Sequence, residues 1–183
     1  MFGLLSKDAD LQPQQIDGAT LSEAHENTPQ ELRAWWNRVG WGSFGQRFLR
    51  LGDLPEQRQA LAEWLEGDVS NVLPLGYTGF GHMFYLRHDQ KTITSIHVLD
   101  VLERSSHVIA LDLEEFGSLF LDRKFLALFD WSLFEDAVQK HGSLQEGQVF
   151  CFVPALAAGG TKGVENLQAI PVALCWRALR QFG

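Results

Sequence analysis

The chain has 183 residues, 45% of them hydrophobic, and carries 15 basic against 23 acidic side chains for a formal net charge of −8. That apolar content is enough to bury one core or two cooperating cores, which excludes disorder for the bulk of the chain. The negative balance is the wrong sign for gripping a phosphate backbone, so direct nucleic-acid binding is excluded and a cationic partner is attracted instead.

Residues 1–27 hold few large apolar side chains beyond the first five and read as a partly ordered N-terminal arm. A helix is expected from Thr28-Pro29-Gln30-Glu31, with Thr28 as cap, Pro29 at the first helical position and Glu31 reaching back, running to Val39 and ended by Gly40. Residues 48–51 read as a short strand. A helix over 54–65 follows, because Leu54, Leu61, Trp64 and Leu65 share a face. Three strands over 72–77, 82–87 and 92–98, joined by a glycine cluster and a turn at 88–91, predict an antiparallel meander. A strand over 106–111 comes next, after which Asp112 can cap a helix whose positive end is favoured by Glu114 and Glu115. The helical pattern over 125–139 is open to a break near Asp130. Residues 148–153 form a short buried strand stopped by Pro154, and Pro171 opens a last helix through Leu174, Trp176, Leu179 and Phe182. The fold class predicted is therefore α+β, a central, mostly antiparallel sheet flanked by helices in a single compact unit.

Motifs with a chemical reading are few. Gly40, Gly42 and Gly45 spell G-x-G-x-x-G, but a helix leads in where the dinucleotide motif needs a strand, so helix termination is the better reading. Ser43 lacks the glycine two positions before it that a nucleophile elbow requires. His82, His88, His97 and His107, with Asp100, invite a zinc site, yet His82 and His88 on one strand would stand roughly 20 Å apart at about 3.3 Å per residue. Gly159, Gly160, Thr161 and Lys162 lack the order of a phosphate loop. Cys151 and Cys175 lie in the apolar stretches VFCFV and ALCWR and are expected as inert buried thiols. No catalytic residue, metal ligand or cofactor is assigned.

Acidic side chains gather in two places, one containing Asp53, Glu56, Glu63, Glu66 and Asp68, the other Asp100, Glu103, Asp112, Glu114 and Glu115. Most such clusters are solvated faces. As a docking surface for a cationic protein, the residues singled out are Glu63, Glu66, Asp68, Asp112, Glu114 and Glu115.

The segments GWGSF, FLRL, EWL, GYTGFGHMFYL and GQVFCFVPALAAGG with VENLQ after it resemble the GAD-like family of type VI secretion immunity proteins, over about residues 28–183. The resemblance implies a GAD-like part over 28–110 and a Tdi-type part over 111–183 packed on it, with Trp41, Phe44, Phe80, Phe84 and Tyr85 as scaffold. It implies a non-enzymatic immunity protein that neutralises a cognate toxin effector, a cationic nuclease domain, by stoichiometric binding. A small-ligand or nucleotide-binding regulatory module, using residues 79–82 and 159–163, is the alternative. With no apolar run near the 18 to 20 residues of a membrane span, and with an N-terminus unlike a signal peptide, a cytoplasmic protein with no membrane partner is expected.

Overall fold

The computed structural model describes residues 28–52 and 55–182. The arm expected over 1–27 lies outside the described residues. Its centre is a six-stranded antiparallel sheet in sequential order, β1 (Gly42–Phe44), β2 (Leu49–Leu51), β3 (Val72–Thr78), β4 (Met83–Asp89), β5 (Thr92–Asp100) and β6 (Ser105–Ala110). The helices are α1 (Gln30–Val39), α2 (Pro55–Trp64), α3 (Leu113–Leu119), α4 (Arg123–Ala127), α5 (Trp131–His141) and α6 (Val172–Arg180). A two-stranded antiparallel ribbon, β7 (Gln148–Phe152) with β8 (Leu167–Pro171), precedes the last helix. The α+β class and the antiparallel meander read from the sequence are what the chain forms.

Strand alternation divides the interior into two cores. Phe84 and Leu86 join Trp35 and Trp36 of α1 and Phe116, Phe125 and Phe134 of α3, α4 and α5. Met83 and Tyr85, of opposite parity on β4, join Ala60 and Leu61 of α2 and Cys175, Trp176 and Leu179 of α6. The sheet is thus covered on one face by α1 and α3 to α5, and on the other by α2 and α6. β7 contributes to both cores through Phe150 and Phe152 on one side and Val149 and Cys151 on the other. Its Phe150 N–H donates to the Gly79 carbonyl at 2.8 Å, which ties the ribbon to the main sheet.

Several local expectations need correction. Pro29, with extended ψ, is the N-cap of α1, and no side chain caps that helix. Thr28 is buried with its hydroxyl unpaired, so no capping box forms there. The break expected near Asp130, by contrast, is present: that residue takes φ 55° and separates α4 from α5. β1 and β8 had no counterpart in the sequence reading. The cysteines, expected as separate thiols, are paired in the structure: Cys151 and Cys175 form a disulfide, their Cα atoms 6.1 Å apart. The apolar surroundings were read correctly, but the bridge depends on α6 lying against β7, which residue composition does not show.

Candidate interaction groove

Besides its apolar contacts, α2 is tied to the sheet by hydrogen bonds from one buried polar side chain. Gln57 is fully buried, and its amide nitrogen donates to the carbonyls of Gly76 at 2.7 Å and Phe84 at 3.0 Å. Gly76 follows a bulge in β3, where the register against β4 shifts between Pro74 and Gly76. It has φ 151°, and a Cβ there would overlap the Arg50 carbonyl of β2. A glycine is therefore required where β2, β3 and α2 meet.

α6 is fixed from its other side. Trp176 donates its indole N–H to the Gly81 carbonyl at 2.8 Å and meets Tyr77 edge to face at 5.5 Å. At the far end Arg104, in the β5 to β6 turn, donates to the carbonyls of Leu179 at 3.3 Å and Arg180 at 3.4 Å, with its guanidinium 5.4 Å from the Trp64 ring centroid. Cationic donors at the last carbonyls of a helix satisfy groups that have no partner within it.

Between α2 and α6 a groove remains. One pocket of about 300 Å³ is lined by Arg50, Glu56, Tyr77, Glu146, Gly147 and Trp176, among others. Beside it, sharing Glu56 and Trp176, lies a smaller space of about 160 Å³ lined also by Gln59, Glu63 and Arg177. Glu56, Gln59 and Glu63 are spaced so that they face the groove from successive turns of α2. Arg50 pairs with Glu146 at 3.0 Å. Tyr77 is 4% exposed, and among the described residues its hydroxyl has no hydrogen-bond partner, although its ring lines the pocket. Burial pushes its pKa up, opposed by Arg50 and reinforced by the negative charges of Glu56 and Glu146. The phenol is neutral at physiological pH, able to donate or accept.

The six acidic residues named from sequence fall into separate places. Glu63 lines the groove and accepts from the Gln59 amide at 3.2 Å. Glu66, at φ 42°, and Asp68 lie just beyond α2. Asp68 accepts from the Ser70 N–H at 2.8 Å, and that bond lowers its pKa. Asp112 caps α3 by accepting from the N–H groups of Glu114 and Glu115, as expected. Glu115 turns back to accept from Leu111 N–H at 2.8 Å, and Glu114 pairs with Arg38 of α1. Among the described residues no hydrogen bond or ion pair joins the first three to the last three. Sequence reasoning missed Tyr77, Glu146 and Trp176 as parts of one place. The legible signal was the Glu56, Gln59, Glu63 spacing on one helical face.

Of the four histidines weighed as metal ligands, three have individual partners. His82 Nδ1 lies 3.2 Å from Asp100, His97 bonds Ser95 at 2.8 Å and stacks on Tyr85, and His107 bonds Ser105 at 2.9 Å. His88 is buried, and that burial lowers its pKa. Among the described residues no group of three or more His, Cys, Asp or Glu is placed to hold a metal. Two glycines of the alternative ligand site lie against packed groups, since a Cβ on Gly79 would overlap the Phe134 ring and one on Gly160 the Pro154 carbonyl, whereas Gly159 has open space around it. Among the described residues no helix is long and apolar enough to cross a membrane.

Comparison with known proteins adds two findings. The fold is similar to the crystal structure of Atu4351 from Agrobacterium tumefaciens, with a TM-score of 0.72 at 16% identity, covering 100% of this chain and 87% of that one. At that identity the likeness concerns the fold alone. Comparison with the curated proteins finds no match. Residues 110–183, from the end of β6 through α6, match the family described as T6SS immunity protein Tdi1, C-terminal, so over that part the chain is similar to a type VI secretion immunity protein.

Proposed function

We infer that the protein is an immunity protein: it binds a cognate type VI secretion toxin and neutralises it by stoichiometric protein-protein inhibition, with no bond made or broken by its own side chains. The observation that carries this reading is the match of residues 110–183 to the Tdi1 immunity family. The net charge of −8 supports it, because a nuclease toxin must itself present basic residues to phosphates, and those residues attract an anionic inhibitor. A nuclease is therefore the toxin class we favour, and the cytoplasm, where nucleic acid is met, is the compartment. We read residues 28–110 as the GAD-like part and 111–183 as the Tdi-type part. In support, the family match begins where β6, the last strand of the main sheet, ends at Ala110.

The test is co-expression with the toxin encoded by the neighbouring gene, followed by calorimetric titration of the purified pair. Rescue of growth together with one-to-one binding is expected. Growth arrest that persists despite folded protein, with no complex formed, removes the immunity reading.

A further inference from the structure

The groove between α2 and α6 carries a more specific assignment, which rests on the immunity reading for the identity of its partner. We propose that the pocket lined by Tyr77, Glu56 and Glu146 receives a cationic side chain, an arginine or lysine projecting from the toxin, with Trp176 as its apolar wall.

Four observations converge on that chemistry. The Tyr77 side chain lines the pocket and its hydroxyl has no hydrogen-bond partner among the described residues, which leaves its oxygen open to a ligand donor. Glu56 lines the same pocket with no ion pair or hydrogen bond of its own among the described residues. Glu146 already neutralises Arg50, so that cation does not repel an incoming one at full strength, and the remaining carboxylate oxygen of Glu146 is available. Finally, about 300 Å³ lies at the lower end of the range for ligand pockets and admits a long aliphatic stem with its charged head. A guanidinium or ammonium brings several donors and no acceptor, matching two carboxylates and a phenol oxygen.

The location makes the assignment informative. One wall of the pocket, with Glu56 and Tyr77, comes from the half before residue 110. The other, with Glu146 and Trp176, comes from the segment similar to the Tdi1 C-terminal domain. A toxin side chain seated there contacts both halves.

The pocket can be tested apart from any toxin. The isotope-labelled protein is titrated with N-acetyl-arginine methylamide and, in parallel, with its citrulline counterpart, which has nearly the same shape without the charge. Saturating shifts at the Gly147 amide and the Trp176 indole N–H are expected with the arginine probe, at an affinity around the millimolar range and at least about fivefold tighter than for citrulline. Glu56→Gln and Tyr77→Phe should each weaken that response severalfold while leaving the rest of the spectrum in place. An equal response to the two probes, shifts that map elsewhere, or no response to the arginine probe overturns the assignment. In a second arm, Glu56→Gln is measured against the toxin itself, and a loss of about tenfold in affinity is expected. Wild-type protein that binds no toxin would remove the immunity reading while the probe titration still decides the pocket. Wild-type binding that is unchanged in Glu56→Gln would remove the pocket from the interface and leave the immunity reading standing.

Discussion

The indole N–H of Trp176 reaches across the molecule to the carbonyl of Gly81 at 2.8 Å, joining the last helix to the turn between β3 and β4. Both groups are buried, so the bond has no water to replace it. Trp176→Phe keeps an aromatic ring but strands the Gly81 carbonyl and leaves space beside Tyr77. A loss of about 2 to 4 kcal/mol is expected from the unpaired carbonyl and the cavity together. Urea denaturation reads this directly, and a loss below about 0.5 kcal/mol would mean that the bond holds nothing in place.

Gly76 answers a different constraint. Its φ of 151° is one that side chains rarely adopt, and a Cβ would overlap the backbone of Arg50 in the neighbouring strand. Gly76→Ala must therefore push β2 away from β3 and disturb the Gln57 bond to the Gly76 carbonyl. We expect a destabilisation of about 3 kcal/mol or more. Gly67→Ala has a similar φ, 143°, but open space around it, and serves as the control for strain without overlap. Equal melting points for the two variants would argue against the overlap.

Asp100 makes acid stability a local question. Burial alone would raise its pKa, but the hydrogen bond and charge of His82, with the N–H groups of Glu103 and Leu102, hold the carboxyl down at about 2. A carboxyl lowered from 3.8 contributes stability that is present above that value and is lost as pH falls toward 2. Asp100→Asn should remove this contribution, so the variant is less stable than wild type at pH 6, and the gap closes between about pH 4 and pH 2. A difference in unfolding free energy that stays constant across that window would show that the carboxyl's charge is not involved.

Much of this architecture was legible because local signals agreed with it. Glycines and turn residues punctuate β3, β4 and β5, and Asp112 caps α3 with the acidic first turn that its sequence announced. β1, with three residues all buried, has no alternation to reveal it. β8 buries only Leu167 fully, and its pairing with β7 spans the loop over 153–166, so nothing local marks it as a strand. The groove was hidden for the same reason: Tyr77, Glu146 and Trp176 come from three distant stretches, and only packing of α6 beside α2 assembles them. The acidic residues were legible as charges, but their local duties were not. Glu114 in its ion pair with Arg38 and Glu115 at the Leu111 N–H are structural as well as surface groups.

Those duties shape what charge reversal should do. Glu114→Lys combined with Glu115→Lys removes an exposed ion pair and a side-chain hydrogen bond, changes worth about 1 kcal/mol or less each to stability. If the α3 end steers a cationic toxin, association should slow about tenfold at low salt, with dissociation within about twofold of wild type. Glu63→Lys, on the groove itself, should instead raise the dissociation rate as well. The two kinetic patterns, measured at two salt concentrations, separate steering from contact. An on-rate unaffected by the double reversal takes Glu114 and Glu115 out of the encounter.

The Cys151–Cys175 bridge sets the sharpest test of the cytoplasmic assignment. It closes a loop between residues 24 apart, which in the chain-entropy view is worth about 3.5 kcal/mol to the oxidised protein. A reducing cytoplasm would hold the same two sulfurs as thiols, buried at 4% and 0% exposure and inert until the protein unfolds. Cells expressing the protein at native level would be quenched in acid, denatured, and alkylated before any oxidation can occur. If the protein resides in the cytoplasm, mass spectrometry should find both cysteines modified, and subsequent air oxidation of untreated protein should raise its melting temperature. Two unmodified cysteines joined in one peptide pair would place the protein in an oxidising compartment, and the toxin it meets there would have to act outside the cytoplasm.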